Sequence, residues 1–392
     1  MRRILLILAL IIGGLALTVV WLTQDGEERD LGASVTVAEA LDGDLAGFKQ
    51  ATGEETLSFP DDYGPHPEYA NEWWYYTGHL LTEEGQRFGY QFTLFRIGLT
   101  PPDTVEAVTE TATSDWATDH FFMGHLALSD IENETHYASE RYSRGGAGLA
   151  GAQARPFRAW LDDWSVDGLG GDDVYPMHIQ AADEAISLDL MLDPKKPRVL
   201  QGEDGFSTKG PGEGNASYYF SQTRLDTAGD IVVHGDTMAV EGLSWMDREW
   251  HTNVLGEEQI GWDWFSVQLD DGRDLMYFEV RQADDAPPYT DGTVVEEDGT
   301  THRVTDAELE VLDTWESPRG GTYPVQWQLQ VPEHDLDLTI TPYFEDQEMD
   351  VSVRYYEGAV DVEGTSEGVS VTGQGFVELT GYGDEEQDPF SG

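Results

Sequence analysis

The chain has 392 residues, of which 76 are acidic and only 21 basic, giving a formal charge of −55, and it contains no cysteine. A surface this negative repels nucleic acid and anionic membranes, and the lack of cysteine excludes disulfides, thiolate catalysis and Cys-ligated zinc or iron–sulfur sites. Only four of the basic residues are Lys, and the simplest expectation is a solvated, halophilic surface whose self-repulsion is screened within a few Å at about 1 M salt.

The first element in chain order is a leader. MRRILLILALIIGGLALTVVWLTQ has two Arg followed by an uncharged, mostly apolar run from Ile4 to about Thr23, long enough to span a bilayer with its positive end cytoplasmic. Residues 1–23 therefore read as a signal anchor or a signal peptide; the anchor reading rests on the lack of a clean small-x-small site before Gln24. Either way the rest of the chain is expected to be extracytoplasmic, membrane-anchored or secreted. Residues 24–55 are acidic and polar and read as a linker, with a helix candidate in SVTVAEALDGDLAGFKQ.

From Leu57 onward the pattern is β. EWWYYTGHLLTEEGQRFGYQFTLFRI is two aromatic, β-branched runs around Glu83-Glu84-Gly85, a hairpin signal. HFFMGHLALSD, YYFSQTRLD and DIVVHGDTMAVEGLSW read as further strands. GWDWFSVQLDDGRDLMYFEVR is a second hairpin around Asp270-Asp271-Gly272. TYPVQWQLQVPEHDLDLTITPYF and GVSVTGQGFVELTGY continue with period-two alternation; a short helix candidate, DAELEVLDTW, precedes them. Many short strands separated by turns imply an all-β sandwich or barrel. Both hairpins run from a Trp-rich strand through an acidic-Gly turn to an aromatic strand ending in Arg (Arg96 and Arg281), which suggests two related β domains in tandem, placed at 56–254 and 255–392. Gly146, Gly148 and Gly151 form a G-x-G-x-x-G, but no strand leads in and no helix leads out, so a dinucleotide site fails its context test. Asn133 and Asn215 sit in short N-glycosylation patterns that recur often by chance.

The stretch SWMDREWHTN carries the chemistry. In an extended strand alternate side chains share a face, so Trp245, Asp247, Glu249 and His251 lie together and Met246, Arg248 and Trp250 lie opposite. Trp262, Trp264 and Ser266 share a face in the following strand. If these faces line a barrel interior, the result is an aromatic pocket holding one or two acids. Desolvation raises the pKa of such an acid, which can then donate a proton at neutral pH, while indole faces stabilise a developing cation. Those parts suit protonation of an electron-rich C=C bond and capture of the carbocation by water. The competing reading is a salt-bridged strand end formed by Asp247, Arg248 and Glu249 and capped by His251. An Asp247 carboxyl that faces an aromatic cavity without an Arg or Lys contact favours the first; pairing with a cation, or exposure, favours the second.

Glu72, before Trp73 and Trp74, is a buried-acid candidate of the same grade. Trp73 and Tyr75 are candidate pocket residues, as are His79 and His125, although a lone His among aromatics is usually a core or rim residue. There is no His-Glu-x-x-His, EF-hand loop, P-loop or Gly-x-Ser-x-Gly elbow, so no cofactor or metal is expected. A scattered metal site would require three or more of His79, His120, His125, His251 and Asp247 to converge on one point.

Taken in order, HPEYANEWWYYTGHL, FGYQFTLFR, HFFMGHLALSD, YYFSQTRLDTAGD, GLSWMDREWHTN and GWDWFSVQLDDGRDLMYFEVR resemble the family of AttH-like predicted secreted hydrolases and carotenoid 1,2-hydratases. The resemblance implies two tandem lipocalin-like antiparallel β-barrel domains behind the hydrophobic segment. It also implies that Asp247 matches the hydratase Asp that protonates the terminal double bond of an acyclic carotenoid. Trp245 stands where the hydratases have Tyr, and Glu249 where they have Asn, which brings the chain closer to the secreted branch. The expectation is acid-catalysed hydration or hydrolysis of an apolar isoprenoid or lipid, with Asp247 as donor, Glu249 and His251 as orienting groups, and Trp73, Tyr75, His79, His125, Trp245, Trp262 and Trp264 around the substrate. The alternative is a non-catalytic lipid carrier of the cell envelope. The expected partners are an apolar small molecule and, if the leader stays uncleaved, the membrane.

Overall fold

The computed structural model describes residues 35–36, 45–53, 55–102, 118–171, 173–253, 255–256 and 258–383. The leader expectation falls outside them, and none of the described residues forms a helix long and apolar enough to cross a membrane. The described elements are strands joined by turns and short 3-10 segments, so the expected all-β class is observed.

Two antiparallel sheets carry the fold. In the first, β1 (Asn71–Thr82), β2 (Arg87–Gly98), β3 (His120–Asp130) and β4 (Thr135–Arg144) form one meander. Five shorter strands follow: β5 (Ala150–Ala154), β6 (Phe157–Leu161), β7 (Trp164–Gly168), β8 (Met177–Ala182) and β9 (Ile186–Pro194). Two long strands, β10 (Ala216–Val233) and β11 (Asp236–His251), complete its main path, and the short stretches Val199–Leu200 and Phe206–Thr208 also pair with β10. The order is β4-β3-β2-β1-β11-β10-β9-β8-β7-β6-β5, so the last strand returns beside the first. The sheet curls until β4, at one edge, reaches β7 and β8 near the other through side chains. Arg141 of β4 donates to the Ala182 carbonyl at 2.7 Å, lies over the Trp164 ring and pairs with Asp163, while Ser139 bonds Asp183 at 2.7 Å.

The second sheet repeats the plan. Its strands are β12 (Gln259–Leu269), β13 (Asp274–Gln282), β14 (Tyr289–Val295), β15 (Thr301–Val304), β16 (Glu308–Glu316), β17 (Thr322–Val331), β18 (Leu336–Pro342), β19 (Tyr356–Ser366) and β20 (Val369–Leu379). The order is β15-β14-β13-β12-β20-β19-β18-β17-β16, again with the last strand beside the first. This curled, lipocalin-like architecture is the one the sequence led us to expect. The two hairpins that prompted the repeat are β1–β2 and β12–β13, and their terminal arginines occupy related places: Arg96 pairs with Glu72 and Arg281 with Asp263.

Two local expectations are corrected. DAELEVLDTW is not helical; it is the edge strand β16, paired with β17. Its helical propensity yields to the ladder hydrogen bonds available across the tight turn at Ser317–Gly320. In SVTVAEALDGDLAGFKQ, Val35 and Thr36 are extended and 45–50 form turns and loop, while the residues between lie outside the description. Nor are residues 45–53 a free tether. Phe48 and Ala51 are buried, and Thr252 at the end of β11 donates to the Lys49 carbonyl.

Each sheet wraps its own apolar core, and a third cluster lies between them. Tyr75, Tyr219 and Trp245 of the first sheet meet Trp264, Met276, Phe278 and Phe376 of the second. A β-bulge on β10 between Gln222 and Leu225 reverses the alternation of that strand. Thr223 and Arg224, at the bulge, reach Asp274 of β13 at 2.8 and 2.6 Å, where Lys196 joins them at 2.9 Å. The acidic surface sets an expected outcome here. The melting temperature should rise between about 0.1 M and about 1 M KCl, as the screening length falls from about 10 Å to about 3 Å; differential scanning calorimetry measures it.

Candidate functional site

Alternation along β11 holds as expected. Met246 and Trp250 point into the core of the first sheet, while Trp245 points out into the cluster between the sheets. The outward face is therefore not a barrel interior, as the sequence reading supposed. It becomes internal only because the second sheet covers it.

A cavity of about 70 Å³ opens there, lined by Trp73 and Tyr75 from β1, Ser217 from β10, Asp247, Glu249 and His251 from β11, Trp262 and Trp264 from β12, Phe278 and Val280 from β13, and Glu378 from β20. Seven of the candidate residues thus come together: Trp73, Tyr75, Asp247, Glu249, His251, Trp262 and Trp264. Trp245 stands behind Asp247 and donates its indole N–H to it. His79 and His125 lie elsewhere. The His79 Nε2 bonds the Gly375 carbonyl at 2.7 Å, and the His125 Nδ1 bonds the Tyr355 hydroxyl at 2.7 Å. Among the described residues no group of three or more His, Asp or Glu is placed to hold a metal ion.

Asp247 is 4% exposed, and no Arg or Lys contacts its carboxyl among the described residues. Ser221, its direct cross-strand neighbour, donates to Oδ1 at 2.5 Å, and the Trp245 Nε1 donates to the same oxygen at 2.8 Å. The Tyr219 hydroxyl donates to Oδ2 at 2.7 Å and in turn accepts from the Trp264 Nε1 at 3.1 Å. Desolvation pushes the carboxyl up to about 7, outweighing the three donors, which hold it down; nearby Glu249 adds to the rise. Glu249 is the paired acid of the site, with the Lys209 Nζ 3.0 Å from its Oε1.

Glu72 proves to be the opposite case. It lies on the inward face of β1, fully buried, and is clamped by Arg96 and Arg248, with the His66 backbone N–H at 3.1 Å from both carboxylate oxygens. Burial alone would raise it, but the two guanidinium groups win and hold it well below the usual carboxylate range. It is a structural anion. Asn215, one of the two glycosylation patterns, is buried and bonds Gln259 at 3.0 Å.

Sequence reasoning missed two further acids, both from the second sheet. Burial pushes Glu378 up to about 8 against the Trp262 indole N–H that donates to it at 2.6 Å, with Glu249 and Asp247 adding repulsion. Glu357 is fully buried, accepts from the Tyr75 hydroxyl at 2.9 Å, and is raised well above the usual range by burial and by Glu378. Their only sequence signal was an acid inside an apolar alternating strand, as in GFVELTGY. These raised groups favour the fold at low pH: that stability is complete below the unfolded-state value near 4.5 and is lost as pH rises toward the folded-state values. We expect Glu357→Gln to remove about one proton from the linkage, so that unfolding free energy falls with pH less steeply, by about 1.4 kcal/mol per pH unit. Urea titrations at a series of pH values from 5 to 8 measure the slope.

The two curled sheets and the buried acid between them, which no cation contacts among the described residues, define a lipocalin-like protein with a candidate site at the seam of its sheets. The AttH-like family profile matches residues 50–382, and the chain belongs to that family. It is similar to a crystal structure from Nitrosomonas europaea assigned to AttH, with 34% identity, 86% of this chain and 100% of that one covered, and a TM-score of 0.75. The fold is also that of kievitone hydratase from Nectria haematococca, at 17% identity, 86% and 98% coverage and a TM-score of 0.64. CghA shares it at 14% identity, 88% and 99% coverage and a TM-score of 0.54. No curated protein sequence matches the chain.

Proposed function

We propose that this protein adds water to a C=C bond of an apolar, isoprenoid-type substrate by acid catalysis in the cavity between its sheets. The observation that carries the reading is the Asp247 carboxyl, buried beside the aromatic cavity with three donors and no cation. Burying an acid without a counter-charge is costly, and general-acid catalysis is a use that gains from it, because burial brings the carboxyl pKa toward the working pH. The hydratase name borne by one structural relative fits the same reading.

In the reaction the Asp247 proton and the π electrons form a new C–H bond, leaving a carbocation on the adjacent carbon beside the Trp262 and Trp264 rings. Water attacks that carbon and gives its proton to Glu249, which Lys209 holds in place. Glu249 stands two residues along the strand, about 7 Å from Asp247, a spacing that admits a substrate bond and one water. Proton return from Glu249 to Asp247 closes the cycle. The apolar run from Ile4 to Thr23 supports an extracytoplasmic location.

The test is incubation of purified protein with acyclic isoprenoid alkenes in oxygen-18 water, followed by mass spectrometry of apolar extracts. A labelled alcohol formed by the parent chain and not by Asp247→Asn is the expected result. A copurifying lipid that both proteins leave unchanged would establish a carrier instead.

A further inference from the structure

The cavity has a second polar end that the proton transfer does not use. Tyr218 on β10 pairs with Trp250 on β11, so the next residues along these antiparallel strands, Ser217 and His251, adjoin one another. Both line the cavity, and they are only 1% and 3% exposed. Neither the Ser217 Oγ nor the His251 Nε2 has a hydrogen-bond partner among the described residues. The imidazole is held by its other nitrogen, 3.0 Å from the Asn253 carbonyl, and by an edge-to-face contact with Trp73 at 4.8 Å. A carbonyl only accepts, so Nδ1 carries the hydrogen and Nε2, on a ring that lines the cavity, is left with a bare lone pair. His251 lies four positions along the strand from Asp247, about 13 Å, which places this corner away from the bond being protonated.

We infer that Ser217 and His251 form a hydroxyl-binding corner, which takes the alcohol or phenol group of an otherwise apolar substrate. The inference rests on the hydration reading and narrows its substrate class. The pair is matched to a group that both donates and accepts: the ligand O–H donates to His251 Nε2, and its oxygen accepts from Ser217. A carbonyl has no hydrogen for the imidazole. A carboxylate would be buried without a free counter-charge among the described lining residues, because Lys209 already pairs with Glu249, and an ammonium would meet Lys209. A pure hydrocarbon would leave both buried groups unpaired, and sites of that kind discriminate strongly for the hydroxyl.

The test uses the full chain and two probes of one skeleton, geraniol and 2,6-dimethylocta-2,6-diene, titrated by the fluorescence of the cavity tryptophans. Transfer from water alone favours the hydrocarbon, which has no hydroxyl to desolvate. The expected result is geraniol binding about 10-fold or more tightly, with Ser217→Ala and His251→Phe each lowering that preference by about 5-fold or more while hydrocarbon binding persists as the control for folding. A preference that is absent in the parent, or unmoved by both variants, would overturn the inference, as it would if a water alone filled the corner. Binding of neither probe would overturn it too. The outcome is separable from the hydration reading: Asp247→Asn should keep the geraniol preference while losing the oxygen-18 product.

Discussion

Asp247→Asn is expected to lower the rate of product formation by about 10²- to 10⁴-fold, the range that a positioned general acid supplies, while leaving the protein folded. The side chains are isosteric. The amide oxygen can still accept from Ser221 and Trp245, and the amide nitrogen can turn the Tyr219 contact around by donating to the hydroxyl oxygen. The parent acid, raised to about 7 chiefly by desolvation, carries its proton below that pH and loses it above. Parent activity should therefore decline as pH rises through about 7, and the residual activity of the variant should lack that limb. Thermal melts separate the two effects: a variant inactive because it is unfolded would lose its transition, whereas this one should match the parent at pH 6 and equal or exceed it at pH 8, where the parent must hold or ionise a buried acid.

Glu72→Gln is expected to do the reverse, costing about 3–5 kcal/mol of stability because it strands two buried guanidinium groups at once. Arg96 and Arg248 are only 1% and 0% exposed, and Glu72 is the carboxylate they share. Their remaining bonds are to carbonyls and histidine rings, the shortest to the Tyr69 carbonyl at 2.7 Å for Arg96 and to the Gly64 carbonyl at 2.6 Å for Arg248, and no second carboxylate bonds either one among the described residues. Because the Glu72 pKa is depressed in the fold, its contribution is present above the unfolded-state value near 4.5 and disappears as pH falls through the folded-state value. The variant should therefore lose most at neutral pH and converge on the parent in acid. Urea unfolding at pH 7 and at pH 3 measures both limbs, and a second change, Arg248→Met, should restore part of the loss at pH 7 by removing one stranded charge.

Asp247 and Glu72 looked alike in the sequence, each an acid beside a tryptophan in an aromatic strand. They differ because neighbouring strands put Ser221 and Tyr219 against one and two arginines against the other. One of those arginines, Arg248, is the residue next to Asp247; alternation sends its side chain to the opposite face, into the ion cluster inside the first sheet. The competing salt-bridge reading therefore described a real bridge but assigned it the wrong acid.

Period-two alternation, turn residues and the paired hairpins were legible along the chain because they are local: each follows from backbone geometry and the side chains within a few positions. They were enough for the all-β class, the repeat, and the common face of Trp245, Asp247, Glu249 and His251. What covers that face was not legible. The second sheet closes it, bringing Trp264, Glu357 and Glu378 from more than a hundred residues away in some cases, and the β10 bulge shifts the alternation where the sheets lock at Asp274. A carboxyl keeps its proton near neutral pH when water and counter-charges are held away from it, and that exclusion belongs to the packing of two sheets, which no stretch of either one encodes alone.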